Sequence, residues 1–302
     1  MAQLSGTLQT YMDPSRREDL LDRIADVSPD SNYLTTTLGT VPVGQTLHEW
    51  TEYYVSRPSS NSKSVEGDDN TFSDPDVVTR KNNICQIIKE AFAVSETAIE
   101  VDKVSPKDAY AREMGWAMRK WKNKMEFAVL RGTKASGSSG VAREMNGVIP
   151  EVMANGRYTV RASGTSLSEQ EFRDIMTESW NQTDEFLIDL VLTTGTRKQD
   201  FSRFFTTSTP KTIPATDKRL VQALDVIESD YGNLVELRAH KDMPTNSVLG
   251  MRKDLTKIGY LRRPRHVPNG VTGDNMKGHI VGEGTVQIDA VRPFIYRTGY
   301  NL

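Results

Sequence analysis

The stretch from 57 to 79, RPSSNSKSVEGDDNTFSDPDVVT, sets the hardest constraint on this chain. Fourteen of its 23 residues are Ser, Asp, Asn, Pro or Gly, a composition rich in turn signals and poor in surface worth burying. Strand-like runs flank it. In TLHEWTEYYV (46–55), alternation puts His48, Trp50, Glu52 and Tyr54 on one side and Leu47, Glu49, Thr51, Tyr53 and Val55 on the other. In NICQIIKEAFAV (83–94), Ile84, Ile88, Phe92 and Val94 line one side. Hairpins are ordinarily closed by about two to five residues, so a connection this long predicts a hairpin that projects. Its Trp50, Tyr54, Ile88 and Phe92 face has no expected partner in an economical subunit, and such apolar surface marks an interaction site. These four residues, with the acidic Glu66, Asp68 and Asp69 of the tip, are the candidate contacts to another subunit.

The second constraint is SPKDAYAREMGWAMRKWKNKMEFAVLRGT (105–133). Ser105 is placed to cap a helix, Pro106 to open it, and Asp108 stands at capping-box spacing. Tyr110, Met114, Ala117, Met118, Trp121, Met125 and Ala128 form one apolar stripe, and Gly132 is placed to end it. Trp116, Phe127 and Leu130 lie off the stripe, which predicts a second buried side. The span from 105 to 131 carries seven basic and three acidic residues, against two basic and five acidic in 57–79. Opposite signs of this kind suit a contact between subunits.

The remaining chain reads as α+β. SRREDLLDRIADVSP predicts a helix capped by Ser15, and 30–45 an extended arm. KASGSSGVA (134–142) predicts a flexible connection. SLSEQEFRDIMTESWNQ predicts a helix with Phe172, Ile175, Met176 and Trp180 inward, followed by a buried strand in EFLIDLVLTT and a short helix in RKQDFSRFF. RLVQALDVIESDYGNLVELRAH predicts two strands about a turn, SVLGMRKD a strand, and GHIVGEGTVQIDAVRPFIYRTGY a closing strand region whose glycines permit a bend.

Chemistry-bearing motifs are scarce. The four histidines, His48, His240, His266 and His279, have no partner at metal-ligand spacing, so no metal or cofactor is expected. Cys85, the single cysteine, excludes an intrachain disulfide and sits in an apolar run, where a thiol behaves as a small hydrophobe. No phosphate loop or nucleophile elbow is present, so no catalytic residue is expected. The 38 basic and 40 acidic residues give a net charge of −2, which argues against nucleic-acid binding by the whole chain. A local basic cluster, Arg252, Lys253, Arg262, Arg263 and Arg265, keeps open a nucleic-acid-binding protein as the alternative function. An enzyme without a motif is a second alternative. No apolar run approaches the roughly 20 residues of a membrane span, and MAQLSGTLQTYMDPSRRED lacks the apolar middle of a signal peptide. The expectation is a protein made in the cytoplasm with no membrane partner.

Three passages carry a resemblance. EDLLDRIADVSPDSNYLTTTLG followed by TLHEW, RKNNICQI followed by VS, and NLVELRAHKDMPTNSVLGMRKD resemble the major capsid proteins of tailed bacteriophages with the Hong Kong 97-type fold, in the group of the SU10 head protein. The resemblance implies a self-assembling shell protein without a catalytic site. It would form hexamers and pentamers around a double-stranded DNA genome, with portal, scaffolding and decoration proteins and non-specifically held DNA as partners. It implies an N-terminal arm at 1–45, an extended loop at 46–95, a peripheral domain at 96–146 and 251–302 whose spine helix starts at Ser105, and an axial domain at 147–250.

Overall fold

The computed structural model describes residues 32–55, 63–67, 69, 78–101, 108–161, 167–182, 187–208 (backbone alone at 204–208), 225–270 and 273–300. In chain order its elements are α1 (Tyr33–Thr37), β1 (Gly39–Pro42), β2 (Leu47–Glu52), β3 (Thr79–Ile84), β4 (Gln86–Ser95), α2 (Glu96–Glu100), α3 (Ala109–Arg131), α4 (Val148–Asn155) and β5 (Arg157–Val160). There follow α5 (Glu169–Gln182), β6 (Leu190–Thr193), α6 (Gly195–Ser208), β7 (Val226–Glu228), β8 (Leu234–Ala239), β9 (Ser247–Met251), β10 (Thr256–Asn269), β11 (Asn275–Ile288) and β12 (Ile295–Thr298). The strands form a four-stranded sheet in the order β1-β10-β11-β4, a six-stranded sheet in the order β5-β12-β9-β6-β8-β7, and the ribbon β2-β3.

Helix α3 organises the first sheet. Asp108 caps it by accepting the Ala111 N–H at 2.9 Å, so the helix starts later than Ser105, which with Pro106 lies outside the described residues. At the far end a Cβ on Gly132 would stand 2.6 Å from the carbonyl oxygens of Ala128 and Met145, so only glycine fits the exit. The apolar stripe packs on β4 and β11, with Ala117, Trp121, Met125 and Ala128 buried. Trp121 is 2% exposed, and its Nε1 donates to the Ile88 carbonyl at 2.9 Å. The glycines of GHIVGEG provide the seat for this stripe, and the β10–β11 register shifts opposite them, between Tyr260 and Arg262 and between Arg262 and Arg265. A Cβ on Gly282 would meet Trp121 Cζ2 at 2.5 Å, and one on Gly284 would meet Met125 Cε at 2.9 Å. The expected second buried side is real only near the C-terminus, at Val129 and Leu130. Trp116 and Phe127 stay exposed, with the Arg112 guanidinium 4.9 Å and the Arg131 guanidinium 5.4 Å from their ring centres.

The middle strands β6 and β9 of the six-stranded sheet are buried on both faces, which explains the continuous apolar run of β6. Leu190, Leu192, Leu249, Met251 and Tyr296 join the core of α3 and α4, while Val191, Val235, Leu237, Val248 and Ile295 pack with α5 and α6. Phe172, Ile175 and Met176 face inward as expected, but Trp180 is 42% exposed. It lies in the last turn of α5, and its ring stacks on Tyr231 alone among described aromatic residues, at 5.1 Å and 18°. A buried arginine ties α5 to β12: Arg297 reaches Glu171 at 2.6 Å and Glu178 at 2.8 Å, and Arg161 also reaches Glu171 at 2.8 Å. The closing span is divided, since β11 pairs in the four-stranded sheet and β12 in the six-stranded one.

Two further expectations change, while the helix at 15–28 lies outside the described residues. The span 30–45 is not simply extended from residue 32 on: α1 buries Leu34, and β1 adds in parallel to β10. The segment 134–142 is a small hairpin with bridges Ala135 to Glu144 and Ser138 to Val141, turned by Gly137 and Gly140 at positive φ.

Two substitutions test this packing. Trp121→Ala should cost about 3–5 kcal/mol and yield unfolded or insoluble protein; a soluble variant with the wild-type melting temperature would remove Trp121 from the core. Gly282→Ala should cost about 1–3 kcal/mol by overpacking, read as a lowered urea midpoint, and an unchanged midpoint would mean that the helix does not rest on β11.

Candidate assembly interface

The ribbon β2-β3 is antiparallel, with Leu47 opposite Ile84 and Glu52 opposite Thr79. The partner of the first strand is thus Thr79–Ile84, not the whole of 83–94 as the sequence suggested. The chain leaves the ribbon at Cys85, whose N–H donates to the Thr46 carbonyl at 2.8 Å, and continues as β4 in the four-stranded sheet. Asn83 fixes the switch. Its amide nitrogen donates to the carbonyls of Asn146 (2.9 Å) and Val286 (2.7 Å), and its oxygen accepts the N–H groups of Asn146 and Ile84, each at 2.8 Å.

This pairing corrects the expected contact face. Ile88 is buried beneath α3, and Phe92 packs on Tyr110 and His266, so both are satisfied inside the subunit. Trp50 and Tyr54 also find partners in their own chain. The Trp50 Nε1 donates to the Ile288 carbonyl at 2.9 Å, and the Arg292 guanidinium lies 3.9 Å from the Tyr54 ring centre. His48 meets Gln287 Oε1 at 2.6 Å. The inner side of the ribbon is therefore docked on 287–292. The other side is open at Leu47, Tyr53 and Val55, between 45% and 61% exposed, while Ile84 opposite Leu47 is buried. Tyr53, Val55, Val65 and Val78 continue the exposure toward the tip. Glu66 and Asp69 are exposed there, and Asp68 lies outside the described residues.

The positive charge of α3 is partly neutralised at home. Lys120 and Lys124 pair with Glu90, and Arg112 pairs with Glu113. The basic cluster is divided likewise. Arg252 bridges Asp254 at 3.4 Å, Lys253 bridges Glu236 at 3.2 Å, and Arg262 bridges Glu283 at 2.9 Å. Glu283 is buried and held from its other oxygen by Arg143 at 2.7 Å. Arg263 and Arg265 are exposed. Three of the five residues that read as one cationic patch are thus tied to carboxylates, two of them on the turn between β9 and β10 and one on β10, which does not support the nucleic-acid alternative. Among the described residues no group of three or more His, Cys, Asp or Glu side chains is placed to hold a metal ion, and no helix is long and apolar enough to cross a membrane. Burial pushes the Cys85 thiol up to about 11, with nearby Glu283 adding to the rise and Arg143 opposing it. That is the opposite of what a nucleophile needs.

A second contact, invisible in the sequence, holds the arm. Glu126 is fully buried, and its carboxylate accepts the N–H groups of Leu34 (2.6 Å) and Thr35 (2.8 Å). His240 Nε2 lies 3.0 Å away, and His240 Nδ1 accepts the Asp242 N–H at 3.2 Å, so the ring proton sits on Nε2 and points at Glu126. Beside it the Tyr33 hydroxyl donates to Glu236 at 2.7 Å, and the Arg238 guanidinium lies 4.6 Å from the Tyr33 ring centre. Burial would raise the Glu236 carboxyl, but hydrogen bonds from Tyr33, Arg238 and Lys253 outweigh it and hold the group at about 2, down from 4.5. Burial, and after it the Glu236 carboxylate, push the Tyr33 hydroxyl up to about 12.

Two measurements follow from these contacts. The depressed Glu236 contributes stability that is complete above its ordinary 4.5 and lost as the pH falls toward about 2. The melting-temperature gap between wild type and Glu236→Gln should be full at neutral pH and shrink across that window; a gap that does not change with pH would contradict the assignment. Arg262→Ala strips one partner from a buried carboxylate and should cost about 1–2 kcal/mol, whereas Arg265→Ala should stay within about 0.5 kcal/mol. Equal urea midpoints for the two variants would return Arg262 to the solvated surface.

Comparison with known proteins places this architecture. Among solved structures, the capsid of cyanophage A-1(L) superposes with a TM-score of 0.66 at 11% identity, covering 97% of this chain and 99% of that one. The phage G major capsid protein gives 0.55 at 12% identity over the whole of both chains. The SrpI encapsulin of Synechococcus elongatus gives 0.61 at 10% identity, over 95% and 93%. Identities this low show the fold alone. Among curated proteins no sequence matches. The family model described as the SU10 major capsid protein matches residues 3–291. With nearly its whole length inside that match, the chain belongs to the SU10 major capsid protein family, the shell-forming head proteins of bacteriophages.

Proposed function

We propose that this chain builds the icosahedral head of a tailed phage, assembling into hexamers and pentamers around a double-stranded DNA genome. The family match over 3–291 carries the reading, because the fold by itself is shared with an encapsulin. In this reading α3 is the spine helix of a peripheral domain and the six-stranded sheet is the centre of an axial domain, to which β12 at the end of the 251–302 span then belongs rather than to the peripheral one. The ribbon β2-β3 with its tip is an arm laid on a neighbouring copy. Its inner side is occupied by its own subunit, so the neighbour takes the open side, where Leu47, Tyr53 and Val55 are exposed. The polar tip keeps that side soluble before assembly. Portal, scaffolding and decoration proteins are the further partners, DNA is held non-specifically, and the subunit is made in the host cytoplasm. No catalytic step is assigned, and the family is a structural one.

Shortening the arm tests the reading. Replacing 58–78 with a short glycine-containing turn should leave a folded subunit that cannot close shells. Asp68→Lys with Asp69→Lys should weaken assembly less, since exposed charges contribute about 0–1 kcal/mol each. Micrographs decide: normal closed particles from the shortened variant would mean that the ribbon is not an assembly arm.

A further inference from the structure

The outer strands of the six-stranded sheet match each other. Among the described residues, one edge is β5, within the stretch Arg157-Tyr158-Thr159-Val160-Arg161, and the other is β7, within Asp225-Val226-Ile227-Glu228. One edge is basic and the other acidic, and each carries exposed apolar side chains, Val160 at 62% and Val226 at 50%.

The backbone groups also agree. Arg157 and Arg161 donate their N–H groups to β12 and its flank, at the Phe294 (3.1 Å) and Thr298 (2.8 Å) carbonyls. By the alternation of a strand, Tyr158 and Val160 turn their N–H and C=O groups outward. On the other edge the Asp225 carbonyl accepts the Leu237 N–H at 2.8 Å, and the Ser229 N–H donates to the Asn233 carbonyl at 2.9 Å. Val226 and Glu228 therefore turn outward. Following the pairing directions across the sheet, β5 and β7 run antiparallel to each other. The same registers place Tyr158, Val160 and Val226 on one face of the sheet.

We propose that β5 of one copy pairs antiparallel with β7 of the next, Val160 opposite Val226 and Tyr158 opposite Glu228, so that one sheet runs on from subunit to subunit. This rests on the reading of the chain as a shell subunit. The register uses all four outward-facing residues of the two edges, so both pairs exchange backbone hydrogen bonds. It sets Val160 against Val226 on the shared face, and it brings Arg161 beside Asp225 on the other. The two charges already have partners at home, Glu171 and Lys198 respectively, so the contact joins two ion pairs. The two edges are different surfaces, which makes the contact head-to-tail and able to close a ring.

The test is a disulfide. Val160→Cys with Val226→Cys, assembled into particles and oxidised, should give a ladder of covalent oligomers on a non-reducing denaturing gel. Either single variant alone should give none, because each edge meets only the other and the native Cys85 is buried. Particles of the double variant that run as monomers would overturn the pairing and leave the shell reading intact. Failure of the wild-type protein to form particles would instead sink the shell reading. If the double variant does not assemble, a reconstruction of the wild-type particle gives the distance directly. The Cα atoms of Val160 and Val226 in adjacent copies should lie about 5.5 Å apart, and a separation beyond about 7 Å would overturn the proposal.

Discussion

The hydrogen bonds received by the Glu126 carboxylate hold the described parts of this chain in one arrangement. A fully buried carboxylate is tolerated only where donors surround it. Here they come from two distant places, the backbone of α1 and the ring of His240 after β8. The long helix that seats on the four-stranded sheet is thereby clamped to the arm on one side and to the end of the six-stranded sheet on the other. Glu283, between Arg143 and Arg262, and Arg297, between Glu171 and Glu178, do the same elsewhere. Buried charges of this kind contribute little net stability against apolar replacements, but they penalise any other register. A subunit that must meet identical neighbours in a repeated way needs one defined shape more than it needs a deep energy minimum.

The elements set by local chemistry were legible in the sequence. The stripe around Trp121, the stop at Gly132, the buried run of β6 and the turn between β7 and β8 depend on residues close in the chain. What depends on distant partners was not legible. Glu126 reads as an ordinary charge beside an apolar stripe, because nothing near it announces the amides of Leu34 and Thr35. The strand after the polar tip carries no mark that it changes sheets at Cys85; the switch is made by Asn83 bonding to Asn146 and Val286. The glycines of β11 were legible as a place where the strand can bend, but not as clearance for Trp121 and Met125. The five basic residues looked like one surface because they are close in sequence, but Lys253 and Arg262 are drawn to Glu236 and Glu283 on other strands and Arg252 to Asp254.

For the candidate interface the same division holds. Alternation along 47–55 correctly separated the side of His48, Trp50 and Glu52 from that of Leu47, Glu49 and Thr51. It could not show which side is occupied, because the occupant is the 287–292 segment, more than 200 residues away. The open side and the polar tip are what remains for a neighbour.

A reconstruction of the purified particle, at a resolution that traces the backbone, tests the central claim most directly. The account predicts a closed shell in which the ribbon of each subunit, 47–52 with 79–84, keeps its inner side on its own 287–292 segment and lays its outer side and tip on an adjacent copy. Closed shells in which that outer side touches no neighbour, or material that stays a small discrete oligomer, would contradict it.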